Sequence, residues 1–466
     1  MQKRLPVRAI LALGTLALLI SASLGGFFAY RNTVGAHAAG TSSSLLSSYA
    51  KISAPKVAYA GKTLNAVQFA CQQPNSQFRC FTPMQMEHAY NALSLYSHGT
   101  SGQGQTIVIM DFSQSPTIAQ DLHSFDKLFG LPDPTLNVIA PNGTDPADPN
   151  TATEITLDVE YAHALAPLAT IDLVLAKAGT ATTVSDLYAN FLQGVSYAVN
   201  NKLGNVISMS YGFPEPCINS TVAAQSHAIF AQAAANGITT IDSAGDSGAT
   251  VPNCTFSDYI PHRATQYPAV EPTVLDVGGT YLDTQAGGAY LGETAWTQVS
   301  TNPNNGAGGG GFSATQALPA YQQAAGIKGT GRAIPDVSYN ADPRSGVIVL
   351  CSSCGGGANT LLVVGGTSAG APQWAGILAL ASQYAGHSMG FINPVLYQLY
   401  TSANYSTDFH DITIGNNSYQ FTSAAGKTVT VTGFAAQRGW DAVTGIGTPI
   451  VHDLVPALAK ATKQAK

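Results

Sequence analysis

Short apolar runs alternate with helical patterns along the middle of the chain, and this alternation constrains the fold more than any other feature. The runs are rich in β-branched residues and are mostly apolar. Strands of this kind belong to parallel sheets that helices cover on both faces. We therefore predict an α/β fold with a doubly wound, mostly parallel sheet. The predicted strands are 106–111, 170–176, 206–210, 239–243 and 274–278, and the predicted helices are 118–129, 154–165, 184–201 and 223–236.

A turn of small residues at 365–372 offers a candidate nucleophile. The apolar residues Val363 and Val364 lead into Gly-Gly-Thr-Ser, and a helical pattern follows from Gln373 to Ala385. A serine at a sharp strand-to-helix turn has an exposed hydroxyl beside free main-chain N–H groups, so Ser368 is the candidate. A turn followed by an N-cap serine would give the same pattern. We expect the strand before Ser368 to belong to the parallel sheet, with the reactive groups at its carboxyl-terminal edge.

Two carboxylates lie four residues apart in one predicted helix. At this spacing Glu154 and Asp158 share one face of the helix, where like charges repel unless the pair shares a proton. The alternative is a capping box formed by Thr151 and Glu154 at the start of the helix. A capping box explains why Glu154 is present, but it does not explain Asp158, whose charge would repel that of Glu154.

Two further segments follow predicted strands. Asp246 lies in a Gly-flanked turn after strand 239–243, where it is either a turn former or, when protonated, a hydrogen-bond donor to an oxyanion. Strand 206–210 opens into small residues, so Ser208, Ser210 and Gly212 are candidates for pairing with an extended peptide. An ordinary core strand followed by a turn explains the second segment equally well.

Together these motifs resemble the sedolisin, or serine-carboxyl peptidase, family, whose members have a subtilisin-like fold and act in acid. An E-x-x-x-D helix, a G-D-S-G turn and a G-T-S-A serine occur in the family's order between about residues 81 and 450. The resemblance implies a secreted endopeptidase that hydrolyses polypeptides. It makes Ser368 the nucleophile, Glu154 the general base, Asp158 the acid that orients this base, and Asp246 the oxyanion donor. Tripeptidyl-peptidase activity, or an inactive surface binding protein on the same scaffold, are the alternatives.

A histidine-based mechanism of the subtilisin type does not fit the order of the residues. In that mechanism the histidine follows the first catalytic aspartate, whereas here His98 precedes Asp111. His163 lies one residue past the Asp158 face of the predicted helix, and we assign it a structural role. A carboxylate base also suits acid, because histidine would be cationic there.

The resemblance implies one structural Ca²⁺ ion near the carboxyl terminus. Carboxylates and main-chain carbonyls are the hard oxygen ligands that calcium prefers. The family usually has glycine where Gln437 stands, a change that retains the carbonyl but can alter the backbone angles. The alternative to a calcium site is that Asp411 and Asp441 are ordinary loop residues that bind no metal. The implied ligands are Asp411, Ile412, Gln437, Gly439 and Asp441.

The amino-terminal residues predict export. Basic residues precede an uncharged run at 9–30, and Ala36-His37-Ala38 is a small-residue cleavage site. Residues 1–38 are therefore a signal peptide, or a signal anchor if they stay uncleaved, which is the one way in which we expect contact with a membrane. We assign residues 39–80 to an extension that is too short for the family's large prodomain, and residues 81–460 to the peptidase domain.

Composition limits the partners and the compartment. A net charge of −6 gives no indication of nucleic-acid binding, and 10% charged residues imply weak self-repulsion in acid. We expect a monomer. The six cysteines fall as near neighbours and indicate three disulfides in an exported chain, although the pairing stays open. The spacing of Cys351 and Cys354 fits a loop staple better than a zinc site, since no second ligand pair accompanies them.

Overall fold

The computed structural model describes residues 29–30, 57–59, 62–64, 69–72, 79–299 and 306–464. Most of the predicted signal and extension therefore lies outside the described residues. The strands are β1 Ala29–Tyr30, β2 Val57–Tyr59, β3 Lys62–Leu64, β4 Arg79–Phe81, β5 Thr106–Phe112, β6 Leu136–Ile139, β7 Thr170–Ala176, β8 Val206–Met209, β9 Phe213–Pro214, β10 Thr239–Ser243, β11 Gln266–Tyr267, β12 Val274–Thr284, β13 Tyr290–Ala295, β14 Gly311–Ala317, β15 Gly331–Ile334, β16 Val337–Asn340, β17 Ser345–Leu350, β18 Leu361–Val364, β19 Phe409–His410, β20 Tyr419–Thr422, β21 Thr428–Val431 and β22 Thr448–Pro449.

The helices lie between these strands or follow them. They are α1 Pro83–Ala89, α2 Leu93–Ser97, α3 Ile118–Phe129, α4 Pro149–Leu165, α5 Val184–Asn201, α6 Ser220–Ala235, α7 Ala320–Ala324, α8 Gly370–Ala385, α9 Asn393–Tyr400, α10 Tyr405–Asp408 and α11 Val451–Gln464. Within the described ranges, no helix combines the length and the apolar character that crossing a membrane requires.

A central sheet carries the fold. Its strand order is β13-β12-β10-β8-β5-β7-β6, with β16 also beside β12, and the pairs are parallel except that β13 runs antiparallel to β12. Helices α4 and α8 contact one face of the sheet, and α5 and α6 contact the other. Because both faces are covered, the middle strands β8 and β10 are buried along their whole length. The predicted α/β fold with a mostly parallel sheet is confirmed.

Helix α4 begins five residues before the predicted start at 154. Asp148 is its N-cap, and the Asp148 side chain accepts hydrogen bonds from the N–H groups of Asn150 and Thr151. Proline at the first helical position favours this start, because its φ is already helical and it has no N–H to satisfy. The capping box at Thr151 is therefore wrong, and Glu154 lies in the body of the helix.

The strand before Ser368 does not belong to the central sheet, so that prediction is wrong. Strand β18 lies in a four-stranded sheet of order β1-β18-β17-β4, where it pairs antiparallel with β17. Antiparallel strands need only a short connection, whereas a parallel partner needs a crossover. The segment between β17 and β18 is short, so the two strands form a hairpin.

The near-neighbour cysteines are paired. The disulfides are Cys71–Cys80, Cys217–Cys254 and Cys351–Cys354. The third lies between β17 and β18, as expected of a loop staple.

Candidate active site

Helix α4 carries two carboxyl groups into the protein interior. Glu154 and Asp158 are fully buried, one helical turn apart on the same face. Burial raises the pKa of Glu154 well above its usual range, and the nearby carboxyls of Asp158, Asp111 and Asp246 raise it further. Burial likewise raises the pKa of Asp158. Since charges of one sign cannot all persist at close range in a buried site, the pair holds a proton well above the pH at which an exposed carboxyl loses it.

Ser368 faces this pair from the opposite side. It lies in the single helical turn Thr367–Ala369 that joins β18 to α8, and its side chain is partly exposed. Contact with the Ser368 hydroxyl lowers the pKa of Glu154 against the larger effect of burial. The candidate nucleophile can thus be reached from solvent, while the candidate base behind it is shielded from water.

A third carboxyl group in the same cluster was not predicted as a site residue. Asp111, near the end of β5, is buried, and burial raises its pKa to about 8 against a hydrogen bond from Tyr211. Its charge acts on both Glu154 and Asp158. A single aspartate at a strand end matches no sequence motif. Its place in the cluster follows from the pairing of β5 with β8, which the sequence of β5 does not reveal.

Asp246 lies on the other side of Ser368, in the turn after β10. It is buried, and burial raises its pKa to about 7 although hydrogen bonds from Thr367 oppose the shift. One of its oxygens contacts Gly366, which has a φ of 121°. A side chain at Gly366 would collide with Asp246, so glycine is required there. Asp246 therefore keeps its proton through the acid range and can donate it in a hydrogen bond.

The three candidate substrate-binding residues have different surroundings. Ser208 is fully buried inside β8, whose two edges are already paired with β5 and β10. Ser208 therefore has no free strand edge to offer a peptide, and only the residues after Met209 have main-chain groups outside the sheet. Ser210 and Gly212 line a narrow cleft with a cavity volume of about 30 Å³. The other residues that line it are Ser243, Gly245, Asp246, Ser247, Pro252, Gln266, Thr367 and Ser368.

The two histidines considered from the sequence do not line this cleft. His163 is fully buried, with Nε2 3.0 Å from Asp126 Oδ1. His98 is exposed, and its Nδ1 lies 2.7 Å from the carbonyl oxygen of Ser94.

The predicted calcium ligands lie in two loops that meet. The N–H group of Gly439 donates to both carboxyl oxygens of Asp411, at 3.1 Å each, and that of Gln437 donates to Asp441 at 2.8 Å. Both carboxylates therefore contact the same short loop. Gly439 has a φ of 74°, and a Cβ there would come within 2.8 Å of the Tyr400 hydroxyl.

The residue types in these two loops are those that calcium prefers, although the carboxylates of Asp411 and Asp441 already accept hydrogen bonds from main-chain N–H groups. In the part of the chain that the structure describes, no group of three or more His, Cys, Asp or Glu side chains could hold a metal. The loops instead offer two carboxylates, and the remaining ligands would be the main-chain carbonyls of Ile412, Gln437 and Gly439, all hard oxygens.

Comparison with known proteins gives similar sequences and a similar structure, although no family model matches the chain. The chain is 33% identical to kumamolisin of Bacillus sp. (strain MN-32) over 414 residues, which cover 86% of this chain and 67% of kumamolisin. It is 33% identical to sedolisin of Pseudomonas sp. (strain 101) over 262 residues, covering 55% of this chain and 41% of sedolisin. It is 28% identical to tripeptidyl-peptidase 1 of Dictyostelium discoideum, covering 78% of this chain and 56% of that relative.

Among solved structures, Pseudomonas sedolisin, a serine-carboxyl proteinase complexed with two molecules of pseudo-iodotyrostatin, matches with a TM-score of 0.70 and 25% identity. The match covers 82% of this chain and 99% of that chain.

Proposed function

Because the chain belongs to the sedolisin family of serine-carboxyl peptidases, we propose that it is a secreted, acid-acting endopeptidase that cleaves polypeptides with Ser368 as nucleophile. The observation that carries the proposal is the position of Ser368 between two kinds of buried carboxyl. The Glu154 and Asp158 pair lies on one side, and Asp246 lies on the other, in the cleft that Ser368 lines.

The reaction is an acyl transfer in two steps. Ser368 Oγ attacks the carbonyl carbon of the peptide bond while Glu154 takes the hydroxyl proton, and Asp158 shares the charge and proton of Glu154. The tetrahedral intermediate collapses, Glu154 gives the proton to the leaving amine, and an acyl ester of Ser368 remains. A water molecule then attacks the ester carbonyl while Glu154 accepts its proton. The second intermediate collapses, Glu154 gives that proton to Ser368 Oγ, and the carboxylic acid product leaves.

Asp246 and the Ser368 N–H group stabilise the oxyanion of each tetrahedral intermediate. Only a protonated carboxyl can donate this hydrogen bond, which is worth about 3 kcal/mol in comparable sites. With a pKa of about 7, Asp246 holds its proton in acid and loses it as the pH rises through neutrality. This dependence supports an acid working range.

The lining of the cleft supports internal cleavage. Release of tripeptides requires a group that holds the α-amino group of the substrate, and a carboxylate is the natural partner for that charge. Asp246 is the only acidic residue among those that line the cleft in the described part of the chain. Tripeptidyl-peptidase activity remains the second candidate, because several relatives bear that name.

Digestion of a denatured protein at about pH 4 tests the proposal. We expect fragments with new internal ends, found by mass spectrometry, and no cleavage by the Ser368→Ala variant. Stepwise release of tripeptides, blocked by acetylation of the substrate amino terminus, would support the second candidate. If the wild-type protein cleaves nothing at any acid pH, the remaining hypothesis is an inactive binding protein on the same scaffold.

A structural calcium ion is part of this proposal. Asp411 and Asp441 would hold it through carboxylate oxygens, with Ile412, Gln437 and Gly439 supplying main-chain carbonyls. The ion would supply charge that fixes the two loops, and it would take no part in the chemistry.

The proposal also includes export of the protein from the cell. The basic start, the uncharged run and Ala36-His37-Ala38 support removal of residues 1–38 during secretion, which would also remove β1 from its place beside β18. Amino-terminal sequencing of protein from the culture medium is expected to begin after Ala38. Recovery of an intact amino terminus in the membrane fraction would support a signal anchor instead.

A further inference from the structure

The side chain of Gln266 occupies a gap between two glycines beside the candidate nucleophile. A Cβ built on Gly212 would lie 2.1 Å from the Cδ, Nε2 and Oε1 atoms of Gln266, and one built on Gly245 would lie 2.9 Å from Oε1. The amide group therefore rests directly on the α-carbon of Gly212 and extends to Gly245. Neither position could accept a side chain while Gln266 stays in place.

These two glycines lie where a substrate side chain must pass. Under the proposed function, the segment Ser210 to Gly212 pairs with the substrate main chain, and the turn at Gly245 holds the carbonyl oxygen of the scissile bond. The residue that supplies this carbonyl lies between the two segments, so its side chain points toward the gap that Gln266 fills.

Gln266 is held firmly in that gap. Its Nε2 donates to the carbonyl oxygen of Ser243 at 3.1 Å, and its own strand, β11, pairs with β9. The preceding residue, Thr265, donates its hydroxyl to the buried carboxylate of Glu215. Glu215 also accepts hydrogen bonds from the Ser313 hydroxyl and from the N–H group and hydroxyl of Thr315. This buried network fixes the main chain next to Gln266, and the hydrogen bond to Ser243 holds the amide group in the gap.

The remaining lining of the gap carries no ionised group in acid. Ser243, Ser247 and Pro252 are neutral, and Asp246 is protonated there. A charged substrate side chain would thus have no oppositely charged group to pair with, and a large side chain would not fit in the gap.

We propose that Gln266 determines specificity by closing this gap, so that the peptidase cleaves after small, uncharged residues such as glycine, alanine and serine. The inference rests on the proposed peptidase function and names its substrate class. One methylene group too many in a closed pocket costs roughly 10-fold or more in kcat/KM, which is enough to exclude leucine, phenylalanine and arginine.

Quenched peptides that differ at one position test the inference. The variable residue is alanine, serine, leucine, phenylalanine or arginine, the assay is run at about pH 5, and mass spectrometry identifies the cleaved bond. We expect kcat/KM to be at least about 10-fold higher for cleavage after alanine and serine than after the larger residues. Gln266→Ala is expected to raise the leucine-to-alanine ratio by about the same factor.

Gln373→Ala is the matched control. Gln373 is also a buried glutamine near Ser368, but its Nε2 donates to the Ala369 carbonyl oxygen and it does not line the cleft. This variant is expected to leave the leucine-to-alanine ratio unchanged. If Gln266→Ala does not fold, Gln266→Ser decides, because it also removes the amide group from the gap and should raise the same leucine-to-alanine ratio.

Two results would overturn the inference while leaving the peptidase function intact. One is a wild-type enzyme that cleaves after leucine or arginine as well as after alanine. The other is a set of folded Gln266 variants whose ratios equal that of the wild type. If the wild-type protein cleaves none of the peptides, the proposed peptidase function is itself contradicted.

Discussion

The hydroxyl and the main-chain N–H group of Thr367 both donate to the same oxygen of Asp246, Oδ1, at 2.9 and 2.8 Å. The other oxygen, Oδ2, lies beside Gly366, where a Cβ would approach it within 2.8 Å. Because Oδ1 already accepts two hydrogen bonds, the proton of neutral Asp246 belongs on Oδ2. The neighbour of the candidate nucleophile thus orients the candidate oxyanion donor.

Replacing Asp246 should separate the hydrogen bond from its pH dependence. Asp246→Ala is expected to lower kcat by roughly 10²–10³-fold, because a donor to the oxyanion is lost. Asp246→Asn keeps a donor that does not ionise, so it should retain more activity than the alanine variant. The activity of the wild type should fall as the pH rises through about 7, where Asp246 loses its proton, and the asparagine variant should lack this fall. Rate profiles that extend from acid to mildly alkaline pH make the comparison.

The exposed Asp186 supplies the control for these profiles. Asp186→Ala removes an aspartate that caps α5, and it should leave the rate profile unchanged. An asparagine variant whose activity falls near neutrality as that of the wild type does would contradict the role given to Asp246.

Glu154→Gln should abolish nearly all activity, because an amide cannot accept the serine proton. We expect kcat to fall by roughly 10⁴-fold or more, as for other members of catalytic triads. The matched control is Glu160→Gln on the same helix. Glu160 is also fully buried, but its partner is the Leu350 N–H group, whereas the hydroxyl that contacts Glu154 is that of Ser368. Equal losses in the two variants would indicate a structural effect rather than loss of the base.

Stability should decrease as the pH rises from about 4 to about 8. Burial raises the pKa of Glu87, Glu160 and Asp276 well above the ordinary range, so the folded protein holds protons that the unfolded chain releases above about pH 4. The stabilisation from each such group is fully present below that pH and is lost as the pH rises through the raised pKa. The loss is about 1.4 kcal/mol for each pH unit over which the folded chain alone holds the proton.

Thermal unfolding followed by circular dichroism at several pH values measures this trend. Glu160→Gln keeps a neutral side chain at every pH, so its Tm should vary less with pH than that of the wild type. A Tm that increases steadily from acid to mildly alkaline pH would contradict the expectation.

Removing calcium should lower the Tm. An ion present at about 100 times its Kd stabilises the folded state by about 2.7 kcal/mol, which corresponds to roughly 3–5 °C for a domain of this kind. Chelation should produce this decrease and added Ca²⁺ should reverse it, whereas Asp411→Asn should unfold at the lower temperature in either case. Asp408→Asn, in the helix just before this loop, should still respond to the chelator. An unchanged Tm at saturating chelator would exclude the site.

Local pattern was sufficient for much of the central sheet. Strand 170–176 and helix 184–201 begin and end where predicted, because an uninterrupted apolar run and an amphipathic pattern each specify one element. The start of α4 differs from the prediction although Asp148 and Pro149 form a recognisable N-cap and N1 pair. The sheet to which β18 belongs could not be predicted from its own residues, since pairing depends on β17.

The candidate site was predictable where a motif exists. Glu154 and Asp158 are recognised by their spacing, and Asp246 and Ser368 by their small-residue turns. Asp111 joins the cluster because β5 lies beside β8, and Gln266 matters because two distant glycines leave a gap. Neither relationship is present in the local sequence.

Ser368 and Glu154 come from distant parts of the chain, and they meet where α8 packs against α4. The serine enters after a strand of the smaller sheet, while the carboxylates rest on the central one. A chain that is still being synthesised therefore has no complete candidate site. Self-digestion cannot begin until both sheets have formed and packed together, so the unfinished polypeptide is protected from its own activity.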